Sequence, residues 1–422
     1  MVESNSSFFI QENHSLSSME ETLSALIPNS FKSTLSNSSP SSSTEQDSST
    51  VTTHDDDEHD DTVLNSHSSI IPKSPIPNFC IASFKTLTLI PQITCLAVHN
   101  HTLYAASTDE INVFDLHTFS LLDKFGSGWA RSIAFAGRRI FTAHQDCKIR
   151  VWQEVIKSTT TSRRKKHRLI ATLPMFKDRF VKSMFAKNYV QVRRHGRKKL
   201  WTQHSDAVSA LAVSSDQELM YSASWDRSFK AWKISSSSSE IRCRESIRAA
   251  HADAVNAIAA GDGIVYTGSA DGEIKAWKRS EDGNRHELIA TVAKHKSSVN
   301  SLTVAADGAA VCSGGGDCVV IQWRWEKING KRAMEVWRVL RGHRGAVLSL
   351  VSVGKVLISG GGDGEVRIWK NGGCLGVLGG HSRPVKALVG MSEKKEMKKT
   401  TLTVVSGSLD GEIKAWKLLI DY

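Results

Sequence analysis

The chain has 422 residues, 40% of them hydrophobic, with a formal net charge of +11. No apolar run approaches the roughly 18 residues of a membrane span, and the first residues lack the basic and apolar segments of a secretory leader, so the expected location is cytoplasmic and nuclear. The seven cysteines are odd in number and contain no Cys-x-x-Cys, which argues against a disulfide frame or a cysteine zinc site.

Residues 1–78 hold 21 Ser and 7 Thr and carry a charge of −10, which leaves +21 for the remainder. So little apolar surface cannot offset the entropy of ordering, and this segment is expected to be a disordered, Ser-rich acidic tail. Ser18-Met-Glu-Glu21 has capping-box spacing, with Leu23, Leu26 and Ile27 beyond it. A transient turn in a solvated tail is the better reading. His54-Asp-Asp-Asp-Glu-His-Asp-Asp61 has metal-ligand residue types, but a solvated acidic run is the default. Ser39-Pro40 and Ser74-Pro75 are candidate kinase acceptors. An acidic tail and a basic body attract each other in a salt-dependent way.

From Phe79 onward, β-branched and apolar runs alternate with Gly, Asp and Ser. The stretch Tyr266-Thr-Gly-Ser-Ala-Asp-Gly-Glu-Ile-Lys-Ala-Trp-Lys278 reads as strand, tight Asp271-Gly272 turn, strand. Asp-Gly between β-rich runs predicts a hairpin turn in which both central residues accept φ > 0. The pattern returns with Asp146 and Trp152, Asp226 and Trp232, Asp317 and Trp323, Asp363 and Trp369, and Asp410 and Trp416. Ser or Thr stands four residues before each Asp, and Trp six after it. The Trp positions are spaced by 80, 45, 46, 46 and 47 residues. A period in the mid-forties with a closing Trp predicts four-stranded propeller blades. A His precedes five of the copies: His204, His251, His295, His343 and His381.

These motifs resemble the WD40-repeat family. Gly342-His343 and Gly380-His381 match its Gly-His pair, and Trp-Lys stands where the family often has Trp-Asp. The resemblance implies an all-β, seven-bladed propeller over 79–422. A worn copy, Ile93–Val98, Leu103–Ser107 and Ile111–Asp115, makes the seventh blade. The second copy has Gly126-Ser-Gly128 where the His belongs. Only six residues follow Trp416, so the last blade is short of an outer strand. Phe79–Ile90 has no blade of its own and is expected to fill that place, which closes the ring and leaves no open edge.

Each good copy holds Ser or Thr, His and Asp. A nucleophilic triad would need one such set, and this set repeats. The structural alternative is a relay in which a buried Trp N–H, a hydroxyl, an imidazole and the turn Asp satisfy one another. The family resemblance implies this relay for His204, Ser222, Asp226 and Trp232; for His251, Thr267, Asp271 and Trp277; for His295, Ser313, Asp317 and Trp323; for His343, Ser359, Asp363 and Trp369; and for His381, Ser406, Asp410 and Trp416. Gly314-Gly-Gly316 and Gly360-Gly-Gly362 do not open a helix, as a phosphate cradle would. No catalytic residue, cofactor or metal is therefore expected, and the chain is not read as an enzyme.

The long gap after Trp152 contains a basic insertion at about 157–200, expected as a loop. It carries Arg163, Arg164, Lys165 and Lys166, then Arg193, Arg194, Arg197, Lys198 and Lys199. An import signal, a solvated or packed loop and a nucleic-acid contact are the three readings. Propeller partners gather where the turns before each Asp converge, which places Gln145, Trp225, Ala270, Gly316, Gly362 and Leu409 on the expected partner face. Trp225 and Arg227 are the expected anchors.

Within the WD40 family, the acidic tail, the Lys-Asp-Arg…Lys-Asn-Tyr-Val-Gln-Val-Arg insertion and the Trp-Lys ends are similar to a plant subfamily, the JINGUBANG-type proteins. That subfamily includes a negative regulator of pollen germination and tube growth. The implied function is a non-catalytic scaffold or adaptor, monomeric within larger complexes, that binds regulatory proteins such as transcription factors. One alternative is a substrate receptor of a cullin-type ubiquitin ligase. Trp152-Gln-Glu, Trp277-Lys-Arg and Trp369-Lys-Asn, in place of Trp-Asp-x-Arg, count against it. The other is a nucleic-acid-associated propeller using the basic loop.

Overall fold

The computed structural model describes residues 79–88, 92–126, 128–158, 163–191, 198–235, 240–283, 285–305, 308, 310–394 and 399–421. The expectations for the tail, and those for Arg193, Arg194 and Arg197, lie outside the described residues.

Among the described residues, seven antiparallel sheets are four-stranded. One shows the logic of all. Val255–Gly261, Ile264–Ser269, Glu273–Arg279 and His286–Ala293 pair in that order, from inner to outer strand. The second strand is buried at every position, because neighbouring sheets cover both of its faces. The outer strand is exposed at five of its eight positions and tolerates charge.

The cores lie between sheets. Trp277, for instance, shares a cluster with Tyr221, Phe229, Ala231 and Val255, so a Trp of one blade seals against the blade before it. Inner strands pack side by side around the ring, including that of the last blade against that of the first. This is a seven-bladed β-propeller.

The expected closure is present. Phe79–Thr88 pairs antiparallel with Glu412–Asp421, from Phe79 opposite Ile420 to Thr88 opposite Glu412, and is the outer strand of blade seven.

Two expectations need correction. Gly272, Gly364 and Gly411 have φ of +81°, +75° and +82°, but the preceding Asp residues are not left-handed. The Gly272 N–H reaches the Ser269 carbonyl at 3.2 Å, so the turn is an ordinary one followed by a left-handed residue. Cys147, Arg227 and Cys318 hold that position in other blades at φ of +64° to +66°.

The basic insertion also starts later than expected. Arg163–Leu173 is the outer strand of blade two, paired with Ile149–Ser158. Its charges suit an outer edge, where Lys and Arg discourage pairing with other chains. What remains is a helix at Phe176–Ser183, a 3₁₀ turn at Ala186–Asn188 and a hairpin of Tyr189–Gln191 with Lys198–Leu200.

Candidate functional site

The repeated Ser/Thr, His and Asp residues come together as the relay requires. Indole N–H groups of Trp232, Trp277, Trp323 and Trp369 donate to Ser222, Thr267, Ser313 and Ser359 at 2.8–3.0 Å. The Nε2 atoms of His204, His251, His295, His343 and His381 lie 2.7–2.8 Å from the hydroxyls of Ser222, Thr267, Ser313, Ser359 and Ser406. Their Nδ1 atoms lie 2.9–3.1 Å from Asp226, Asp271, Asp317, Asp363 and Asp410. Trp416 is buried with its ring near that of His381. If Nδ1–H donates to the carboxylate, Nε2 accepts from the hydroxyl, whose oxygen accepts the indole N–H.

Electrostatics fit neutral imidazoles at His204, His251 and His381 and ionised carboxylates in the turns. Burial pushes His204, His251 and His381 below the usual imidazole value, against the pull of their aspartates. Burial alone would raise Asp363. The hydrogen bond from His343 and the N–H groups of Arg344 and Glu365 outweigh that and hold it at about 2. All five hydroxyl-bearing residues have no exposed surface, so no substrate reaches them. The set braces five of the blades and is not a nucleophilic centre. Replacing Asp363 by Ala leaves the His343 Nδ1–H and two backbone N–H groups without their acceptor, an expected loss of about 1–3 kcal/mol. Urea unfolding of that variant checks the loss, and an assay with an activated ester should show no hydrolysis to lose.

Blade two solves the missing imidazole differently. His144, on the second strand itself, places Nε2 2.7 Å from Thr142 and Nδ1 3.2 Å from the Gly128 carbonyl, while Trp152 donates to Thr142 at 2.9 Å. Asp146 is left outside this relay and pairs with Arg150 at 2.8 Å. Burial pushes His144 down to about 4.

A second set of clamps joins neighbouring blades. The Tyr104 hydroxyl meets His167 at 3.3 Å, and His167 meets Asp123 at 2.9 Å. Tyr221, His286 and Glu245 repeat this at 3.1 and 2.7 Å, and the Trp325 indole donates to Tyr266 at 2.8 Å. Sequence reasoning missed these. The one signal was a Tyr directly before the relay hydroxyl at Tyr221 and Tyr266.

The expected partner residues occupy equivalent places in six blades. The N–H groups of Gln145, Trp225, Ala270, Gly316, Gly362 and Leu409 each donate to the residue just before an inner strand: Trp129, Ala207, Ala254, Ser298, Ala346 and Pro384. All six are half-buried. Trp225 does not pair with Arg227, whose guanidinium reaches the Ala252 carbonyl at 3.3 Å. The Arg131 guanidinium instead lies 4.2 Å from the Trp225 ring and donates to Gln145 Oε1 at 3.0 Å.

Among the basic residues, Lys165 pairs with Glu154 at 3.3 Å, Lys166 and Lys198 are exposed, and Lys199 is half-buried. The helix beside them buries none of its residues. Phe176 is 78% exposed, Met184 63%, Val181 57%, Phe180 56% and Phe185 53%. An open groove of about 370 Å³ runs alongside, lined by Ser183, Met184, Ala186, Tyr189 and Lys198.

Three of the four His/Asp/Glu groups close enough to hold a metal use relay residues already bonded to each other. The fourth is an exposed trio, His101, His117 and Glu393. No helix among the described residues is long and apolar enough to cross a membrane.

Comparison with known families matches the description "WD domain, G-beta repeat" to residues 197–233, 286–324, 334–370 and 372–417. No curated protein matches the chain. The last three matches each begin at or beside an outer strand and run through three strands of the next blade. Seven sheets closed in a ring make the chain a seven-bladed β-propeller, four segments of which match WD40 repeats.

Proposed function

We propose that the chain is a non-catalytic interaction platform, and that its principal docking surface is the insertion between blades two and three. The observation that carries this is the exposed row of Phe176, Phe180, Val181, Met184 and Phe185. A contiguous apolar patch on a helix that buries nothing is what a partner covers. Lys177, Arg179, Lys182 and Lys187 stand among these residues, so the fitting partner presents apolar side chains between acidic ones. Acidic amphipathic segments are common in regulatory proteins, transcription factors among them. The mouth residues around Trp225 offer a second contact.

The likeness of the tail and insertion to the JINGUBANG-type subfamily supports a repressive regulator of plant reproductive growth, acting in nucleus and cytoplasm. Proximity labelling with the full chain and with Phe180→Asp/Met184→Asp tests the reading. These side chains are exposed, so the double variant should melt with the parent while losing partners with acidic amphipathic segments. An unchanged partner set would sink the proposal. Loss of RNA or DNA instead, on neutralising Lys198 and Lys199, would make the basic residues a nucleic-acid contact.

A further inference from the structure

Six inner strands carry a bulge at their second residue: Arg131, Ser209, Asn256, Asn300, Leu348 and Lys386. The small polar residues there seal one blade to the next across the ring's inner wall. Ser209 Oγ donates to the Val255 carbonyl at 2.5 Å, Asn256 Nδ2 to Val299 at 3.1 Å and Asn300 Nδ2 to Val347 at 3.3 Å. In blade one, Thr94 does the same to Ala130 at 2.6 Å. Leu348 is apolar.

The two remaining positions hold cations, on blades two and seven. Both inner strands pack against the inner strand of blade one, so Arg131 and Lys386 flank it from either side. They lie two residues beyond the Trp129 and Pro384 carbonyls that tie the Gln145 and Leu409 turns to the inner strands, with the Trp225 ring beside Arg131. Arg131 uses Nη1 on Gln145, while its Nε is buried with no partner. Lys386 makes no hydrogen bond or ion pair among the described residues. Asp206 is the carboxylate felt by Arg131. The nearby Cys95 thiol is pushed up to about 12 by burial and supplies no negative charge.

Two like charges in a partly dehydrated wall, of which Arg131 alone feels a carboxylate, are costly unless something negative sits between them. Burial, then the charge of Arg131, pushes Lys386 down to about 8. We infer that this end of the central channel is an oxyanion site, in which Arg131 and Lys386 together hold one phosphate or carboxylate group, with Trp225 and Gln145 at its rim. Guanidinium Nε–H and a lysine Nζ are donors that such oxygens accept in charge-assisted bonds. The site is separate from the insertion surface and stands without it.

Thermal unfolding of the full chain in sodium phosphate, against sodium chloride at equal ionic strength, tests the inference. Sodium acetate is the second arm. Phosphate should raise the melting temperature above chloride, because a ligand bound only by the folded form stabilises it. Lys386→Met should weaken the phosphate response by roughly tenfold or more in concentration, and in chloride it should melt no lower than the parent, since it removes one of two repelling charges. Arg131→Lys keeps the charge and should retain part of the response. An acetate response equal to that of phosphate identifies a carboxylate ligand, and a phosphate response alone identifies a phosphoryl group. Coincident curves in all three salts, or a full phosphate response in Lys386→Met, would overturn the site.

Discussion

A chain that starts at Gln92 should lose cooperative unfolding or melt ~10 °C or more below the full chain, whereas one that starts at Phe79 should melt with it. The difference between them includes a single strand, Phe79–Thr88, which is the outer member of blade seven. Nine of its residues stand opposite residues of Glu412–Asp421. At a net ~1 kcal/mol for each hydrogen bond in the ladder, its removal costs several kcal/mol. It also uncovers Glu412–Asp421 as an open edge, free to pair with another chain. The shorter form is therefore expected to aggregate as well as to soften. Calorimetry on both forms settles the matter, and equal melting temperatures would mean that this strand does not close the ring.

Mild acid should destabilise the fold well before carboxylates titrate. An imidazole held below its usual 6.5 in the folded form binds fewer protons there than in the unfolded chain. Stability therefore falls as pH drops below 6.5 and goes on falling to the folded value. For His144 that window runs from 6.5 to about 4. Its full width corresponds to about 3 kcal/mol. His204, His251 and His381 shift in the same direction and add to the slope. The aspartates act later and with the same sign. Asp363 contributes stability above the ordinary 3.8 and loses it as pH falls toward about 2. Urea midpoints should be flat above neutrality, drop between pH 6.5 and 4, and drop again below 4. His144→Gln should flatten the first drop. A midpoint unchanged from pH 7 to pH 5 would show that these rings take up protons equally in the folded and unfolded chain, and so are not held below their usual value.

Six of the seven blades were legible because a Trp closes each of them, at 45–47 residues everywhere but across the basic insertion. Closure was legible from arithmetic at the end: six residues after Trp416 cannot build an outer strand, and Phe79–Ile90 had no other place. The relay in blade two was not. Its ring comes from His144, two residues after Thr142 on the same strand, where a repeat-based search looks only upstream. The Arg163–Leu173 strand was hidden by its charges, which read as loop until one knows that an outer edge faces water. Arg131 and Lys386 were hidden more deeply. Which residue of an inner strand bulges depends on register, and register appears only in the paired strands.

The phase difference between repeat and sheet has a consequence for how such a chain can change length. Three matched segments each join the outer strand of one blade to three strands of the next, so a segment's end never coincides with the end of a sheet. A genetic deletion of one whole copy would cut two sheets and leave complementary remnants that can heal into one. The result is a smaller circumference with no gap, so rings of this kind can gain or shed members while staying sealed.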